Sequence, residues 1–257
     1  MQLSVVVPVK DEAANVEPLL DEIHAALDAR YDYEIIYVDD GSSDGTLEVL
    51  RARMLIDPRL RVLRHEHSCG QSTAVWNGVR AAHGEVIATL DGDGQNDPAD
   101  IPALVAALVE RQPGNLQLVM GHRTRRKDSF AKRIASRIAN RVRRALLHDD
   151  TPDTGCGIKA FWRDAFLSLP YFNHMHRFLP ALVCRQGGAV RSVPVNHRPR
   201  ESGRSKYGIN DRLWAGIADL AGVAWLLRRE RRPAAVIEET PPVRMSRTPE
   251  ERAAQRH

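Results

Sequence analysis

Apolar residues recur along the first half of the chain in two alternating rhythms. Leu3–Val9 is an apolar, β-branched run with a proline near its end. Asn15–Ala29 then spaces Val16, Leu19, Leu20, Ile23 and Leu27 as one helix face. The alternation continues with a strand at Tyr33–Val38, a helix at Thr46–Met54, a short strand at Arg61–Arg64 and a helix at Thr73–Ala82. A strand at Val86–Leu90, a helix at Ile101–Arg111 and a fifth strand at Leu116–Met120 follow. Strands separated by helices of this length predict right-handed βαβ crossovers, and hence an α/β fold with a mostly parallel sheet flanked by helices.

Sheets of this class bind ligands beyond the carboxyl ends of their strands, and here those ends are polar. Strand one runs into Pro8-Val9-Lys10-Asp11-Glu12, strand two into Asp39-Asp40-Gly41-Ser42, strand four into Asp91-Gly92-Asp93-Gly94-Gln95, and strand five into Gly121-His122-Arg123. Asp44 before Thr46 reads as a helix cap. Two acidic pairs at neighbouring strand ends put four carboxylates on one rim, an arrangement that asks for cations or hydroxyl donors. The Asp91–Gln95 turn offers two carboxylates and an amide, oxygen ligands of the kind that suit Mg²⁺ or Mn²⁺. It is not an EF-hand, because the twelfth loop position lacks Glu and a proline sits at the eighth. With no P-loop and no G-x-G-x-x-G opening a helix, phosphates would be bound through metal and side chains.

The second half is less regular. Ala131–Leu147 reads as a basic amphipathic helix, Asp153–Gly157 as a Gly-rich loop leading into a strand at Ile158–Trp162, Arg177–Arg185 as helix and Val190–His197 as strand. Arg198–Tyr207 is a polar loop. Leu213–Leu227 is a mostly apolar helix flanked by arginines. Its 15 residues span about 22 Å, short of a hydrocarbon core of roughly 30 Å. It contains Asp219, so it fits a helix lying in a membrane interface or packed on the sheet. The expected organisation is a domain over 1–208, this helix within 209–230, and a disordered Pro-rich, charged tail over 231–257.

Charge changes the picture more than overall composition does. The net of +4 hides residues 1–100 at −11 and residues 101–257 at +15, and Gly121–Leu147 holds ten basic residues against one acid, Asp128. That stretch points to an anionic partner. Aromatic residues are only 5% and no aromatic-rich RNP stretch appears, which argues against RNA. Three cysteines, Cys69, Cys156 and Cys184, without a C-x-x-C, argue against a disulfide framework or zinc and for a reducing compartment. No secretory signal and no run of 18 apolar residues is read. His65 and His67 are expected to be surface groups, and His176 is a lesser site candidate.

Val5-Val6-Val7-Pro8 with Glu12, and Val38 through Thr46, resemble the nucleotide-binding motifs of inverting family 2 glycosyltransferases of the GT-A fold. Leu90 through Pro98 is similar to the D-x-D-x-Q-x-x-P form of that superfamily's metal motif. Asp153-Thr154-Gly155-Cys156-Gly157 with Lys159-Ala160, and Arg200 through Tyr207, resemble the narrower motifs of the polyprenyl-phosphate branch, the dolichol-phosphate mannosyltransferases and their bacterial undecaprenyl-phosphate relatives. The likeness covers about residues 2–228.

The resemblance implies a GT-A, Rossmann-like enzyme that moves a sugar from GDP-mannose or a UDP-sugar to a polyprenyl phosphate with inversion, assisted by Mg²⁺ or Mn²⁺. On this likeness Asp39 and Asp40 hold base and ribose, and Pro8, Lys10 and Glu12 line the same pocket. Asp91 contacts the nucleotide, Asp93 and Gln95 ligate the metal, and Arg123, Arg133, Ser136 and Arg200 bind the acceptor phosphate. Asp91, Asp93 and Arg123 form the implied catalytic set. The chain departs from the family at Lys10-Asp11, where Tyr-Asn is common, and at Gly94, where a bulky apolar residue is common. The implied location is cytoplasmic, peripheral on the inner face of the cytoplasmic membrane, with no nucleic-acid partner and the oligomeric state left open. The alternative is a family 2 glycosyltransferase acting on a hydroxyl of a lipid or saccharide in cell-envelope glycan synthesis, which would need a general base.

Overall fold

The computed structural model describes residues 2–110, 114–123, 143–147, 149, 151–199 and 209–229, the side chains of 209–215 excepted. Strand β1 (Gln2–Val9), helix α1 (Ala13–Leu27), β2 (Asp32–Asp39), α2 (Thr46–Met54), β3 (Leu60–Arg64), α3 (Gln71–Ala81), β4 (Val86–Thr89) and α4 (Ile101–Val109) follow in order, as the periodicity predicts. Then come β5 (Leu116–Arg123), β6 (Lys159–Trp162), short helices at Arg163–Leu167 and Leu179–Arg185, β7 (Ala189–Val195) and a C-terminal helix, Ile209–Arg228. Residues 143–147 are helical. The remainder of the expected basic helix, with Arg133 and Ser136, lies outside the described residues, as do Arg200 and the tail.

The strands form one sheet in the order β3-β2-β1-β4-β6-β5-β7. β1 pairs in parallel with β2 and β4, and β2 with β3. Side chains alternate across it. Val5, Val7, Ile35, Tyr37, Ala88 and Val119 face one core with α1 and α4. Val6, Ile36, Val38, Ile87, Met120 and Phe161 face the other with α3 and Leu179–Arg185. Burial on both faces explains why the strands read as continuous apolar runs rather than as alternating ones.

The structure differs from a simple parallel sheet at β6, which runs antiparallel to both β4 and β5. Strand β5 extends to Arg123 and finishes at the rim where β1, β2 and β4 finish. β6 starts from that rim, so it must run downward. The reversal places the 153–157 loop and Lys159 on the same rim as the strand-end carboxylates.

In the C-terminal helix, Val223 and Ala224 are buried against the second core, whereas Ile217 and Trp225 are 50% and 61% exposed. Asp219 accepts from, or pairs with, His174 at 2.7 Å. Among the described residues no helix is long and apolar enough to cross a membrane.

Helix α3 lies close on the sheet because Gly78 faces it. A Cβ there would fall 2.4 Å from Val6 Cγ1 and 3.1 Å from Val38 Cγ2. Gly78→Ala should therefore cost about 1–3 kcal/mol through overpacking, read as a lower urea midpoint at unchanged m-value.

Candidate active site

The rim is organised by its own carboxylates before any ligand is considered. Asp44 accepts from the Thr46 N–H at 2.9 Å and the Ala13 N–H at 3.3 Å, fastening the starts of α2 and α1 together. Asp11, at φ 49°, accepts from the Ser43 N–H at 2.6 Å and donates its own N–H to Ser42 Oγ. Gly41, at φ 67°, lets the chain turn where a Cβ would meet His67 and Ser68 backbone at 2.9 Å.

Asp39 and Asp40 behave differently from each other. Asp39 is fully buried. Its Oδ1 accepts the Ser42 N–H at 3.0 Å, and its Oδ2 has no partner among the described residues. Asp40 is occupied within the protein. It accepts from His65 Nδ1 (2.7 Å), Ser68 Oγ (2.7 Å), the Cys69 N–H (2.7 Å) and the Gly70 N–H (2.9 Å). Burial pushes its carboxyl up, but these four donors outweigh it and hold the group below the usual carboxylate range. His65 is thus not the surface group expected from sequence. Its Nε2 faces the Asn77 amide nitrogen at 3.0 Å, which can only donate, so Nε2 accepts and Nδ1 carries the proton given to Asp40.

Pro8, Lys10, Glu12, Asp40, Gln71, Asp91 and Asp93 line a cleft of about 220 Å³. The sequence-predicted nucleotide residues therefore come together, except that Asp39 sits behind the wall. The Asp91–Gln95 turn is held from within by the Asp91 N–H to Asn96 Oδ1 (3.1 Å) and the Gln95 N–H to Asp93 Oδ1 (3.1 Å). It is held from outside by Arg198, which forks onto Glu22 at 2.8 and 2.6 Å and donates to Asn96 O at 2.9 Å. The Gln95 side-chain amide reaches Arg198 O at 3.4 Å. Burial pushes the Asp91 carboxyl up and nearby Asp93 adds to it, while Lys159, Arg123 and Gln71 oppose. Two crowded carboxylates with an adjoining amide are a donor set that a hard divalent cation relieves.

A second cavity, about 370 Å³, is lined by Gln71, Asp91, Arg123, residues 154–157, Lys159, His176 and Arg177. It shares Gln71 and Asp91 with the first, and Gln71 Nε2 donates to Asp91 Oδ1 at 2.7 Å. Gly157 must lack a side chain here, since a Cβ would fall 2.1 Å from Asp91 Oδ2 and 2.6 Å from Asn96 Oδ1. Arg123 is not simply presented to the cavity. Its Nε and Nη2 fork onto Asp153 at 2.7 and 2.8 Å, with side chains only 13% and 7% exposed. Lys159 is buried, which lowers its pKa against the pull of Asp91, and its Nζ donates to Cys156 O. His176 Nδ1 lies 2.7 Å from Ser72 Oγ, which also accepts the His176 N–H at 3.3 Å. Burial, then the charges of Lys159 and Arg177, push His176 well below the usual histidine range, so it is neutral.

Sequence reasoning missed Gln71, Ser72, Lys159, Arg177 and Arg198 as site residues. The D-T-G-C-G motif two residues before Lys159, the Arg200–Tyr207 motif two residues after Arg198 and the candidate His176 beside Arg177 were the available signals; Gln71 and Ser72 sit at a helix start with no motif around them.

Residues 4–169 match the family described as glycosyl transferase family 2. The dodecaprenyl-phosphate galacturonate synthase of Rhizobium johnstonii is 37% identical over 244 residues, covering 91% of this chain and 69% of that protein. The undecaprenyl-phosphate 4-deoxy-4-formamido-L-arabinose transferase of Edwardsiella ictaluri is 34% identical over 209 residues, covering 80% of this chain. The match spans 63% of that relative, less than two thirds of its length. Among solved structures, the glucosyl-3-phosphoglycerate synthase of Mycobacterium tuberculosis is similar in fold. Its complex with UDP gives a TM-score of 0.68 at 23% identity, covering 94% of this chain and 84% of that one. Its complex with Mn²⁺, UDP and phosphoglyceric acid gives 0.65 at 25%, covering 91% and 80%. With its sheet order, its rim carboxylates and these likenesses, the chain belongs to glycosyl transferase family 2 and is a glycosyltransferase.

Proposed function

We propose that the chain transfers a sugar from a nucleoside-diphosphate donor to a polyprenyl phosphate with inversion. The observation that carries this is the common wall between the two cavities at Gln71 and Asp91. A donor lying over Pro8, Lys10, Glu12 and Asp91 directs its sugar toward that wall, and an acceptor in the second cavity reaches the anomeric carbon from the other side. Holding both reactants in line replaces a bimolecular encounter. On the family likeness Asp39 and Asp40 meet base and ribose; of the two, only Asp40 lines the cleft. Asp93 and Gln95, beside Asp91, would hold Mg²⁺ or Mn²⁺, which neutralises charge on the leaving diphosphate when bound. The relatives from Rhizobium johnstonii and Edwardsiella ictaluri are named for polyprenyl phosphates, and the acceptor side here is lined by Arg123, Lys159 and Arg177. A phosphate monoester with a second pKa of about 6 is ionised near neutral pH and needs no base.

Arg133, Ser136 and Arg200 join the acceptor side on the family likeness alone. The exposed Ile217 and Trp225, with Arg228 and Arg229 following, suit an interfacial helix at the inner face of the cytoplasmic membrane. The rival reading, a hydroxyl acceptor, has one observation in its favour: neutral His176 on the second cavity could serve as its base.

The deciding measurement is a donor screen of UDP- and GDP-sugars against undecaprenyl phosphate and undecaprenol, with and without Mn²⁺, reading lipid-linked product. Product from the phosphate alone is expected; equal product from the alcohol would overturn the phosphate-nucleophile reading. Asp93→Asn should lower turnover about a hundredfold, as loss of one transition-state contact of roughly 3 kcal/mol does. Full wild-type activity in excess EDTA would remove the metal.

Asp40→Ala should weaken nucleotide binding and also lower stability by about 1 kcal/mol, because four partly buried donors lose their acceptor. The sign with pH follows from a depressed folded pKa. The contribution is present above the unfolded value, 3.8, and is lost as pH falls through the folded one, so the wild type should lose more stability in acid than Asp40→Asn. Urea midpoints between neutral pH and pH 3 read this directly.

Removing either partner of the Arg123–Asp153 fork strands a buried charge, at a cost of about 3–5 kcal/mol. Arg123→Ala and Asp153→Ala should therefore both lower melting temperature and activity together. An Arg123→Lys protein with wild-type melting and turnover would show that the fork is dispensable.

A further inference from the structure

The second cavity holds four basic side chains, and three are already committed. Arg123 forks onto Asp153, Lys159 donates to Cys156 O, and His176 is bonded to Ser72. Arg177 is the remaining one. It is half-buried on the cavity wall, and its guanidinium makes no hydrogen bond or ion pair among the described residues. A guanidinium on the wall of the cavity that Lys159 also lines, with no carboxylate partner among the described residues, keeps its planar fork of donors available, and such a fork suits the oxygens of an anion.

The turn that carries it is rigid. Met175 and Phe178, on either side, are buried in the second core. The Arg177 N–H donates to His174 O at 3.0 Å. His174 itself occupies the left-handed region at φ 65°, a conformation that costs a non-glycine residue about 1 kcal/mol or more. It is kept there while its imidazole bonds Asp219 of the C-terminal helix at 2.7 Å and its N–H donates to Asn173 Oδ1 at 2.9 Å. A backbone anchored by packing and by these hydrogen bonds fixes the point on the cavity wall from which the Arg177 side chain starts, which is what a binding residue requires.

From this geometry we infer that Arg177 binds the anionic phosphate of the acceptor in the second cavity, while Arg123 acts as a positioning residue by holding Asp153 and the 153–157 loop. The inference rests on the polyprenyl-phosphate reading above. The same fork could also grip a donor group, the diphosphate or a carboxylate on the sugar, and the experiment separates these sources.

The wild type, Arg177→Lys and Arg177→Met are titrated calorimetrically with a prenyl monophosphate and, separately, with UDP and GDP in the presence of Mn²⁺. Steady-state KM for undecaprenyl phosphate and for the donor sugar is measured in parallel. Expected is prenyl-phosphate affinity at least tenfold weaker in Arg177→Met, with an intermediate loss in Arg177→Lys because charge without the fork is retained. Acceptor KM should rise to match, with nucleotide affinity and donor KM within twofold of wild type and melting temperatures equal. Unchanged prenyl-phosphate affinity, no affinity even in the wild type, or a rise confined to donor KM each overturns the assignment. A wild type that binds the prenyl phosphate yet never glycosylates it refutes the proposed function instead, and the Arg177 comparison still stands as a binding result.

Discussion

Asp91 carries a carboxylate into a place where burial and the neighbouring Asp93 both oppose its charge. Lys159, Arg123 and Gln71 pull the other way, and each comes from a different part of the chain: the start of β6, the end of β5 and the first turn of α3. The site therefore depends on how three elements converge on one strand end. Gly157 marks how tight the convergence is, since even a methyl group would overlap the Asp91 carboxylate. The antiparallel course of β6 makes it possible, because a parallel strand at that position would deliver its opposite end to the rim.

Charge on this rim falls into two kinds of work. Asp40, Asp44, Asp153 and Arg123 spend their hydrogen-bonding capacity on the protein, and what they hold is loop geometry. Asp39 Oδ2 and Arg177 are buried or half-buried with capacity unspent among the described residues. The two kinds look alike in a sequence. An acidic pair after a strand reads as a binding site whether its oxygens meet a ligand or the chain's own N–H groups.

That is why legibility was uneven. Strands β1, β2 and β4 and helices α1 and α3 were readable because doubly buried strands and amphipathic helices leave apolar periods that few other structures produce. The rim location of Pro8, Glu12, Asp91 and Asp93 followed from the rule that ligands sit beyond strand ends. The direction of β6 was not readable, because a strand of four residues flanked by polar loops has the same pattern either way round. His65 looked like a surface group, since a single histidine in a polar loop carries no sign of the carboxylate it meets from another strand. Arg123 was found by position, but its partner Asp153 lies on a separate loop that only the fold brings near. Arg177 stood beside the candidate His176 at the start of an expected helix, but no pattern in the sequence separates an arginine without a partner from one that pairs.

The pairing of β4 with β6 joins Thr89 to Lys159 across a long stretch of intervening chain, whereas β1 and β2, and β2 and β3, are each linked by a single crossover helix. Closing that stretch costs more chain entropy than closing either single crossover and is repaid only when the four-residue strand is in register. A slip of one residue would exchange the faces of Ala160 and Phe161 and carry Lys159 away from Asp91. Assembly of the polypeptide thus has a natural sequence: β1, β2 and β3, with Asp39 and Asp40 at their rim, can close first on shorter-range contacts. The cationic wall opposite it is completed only when β6 has been threaded between β4 and β5.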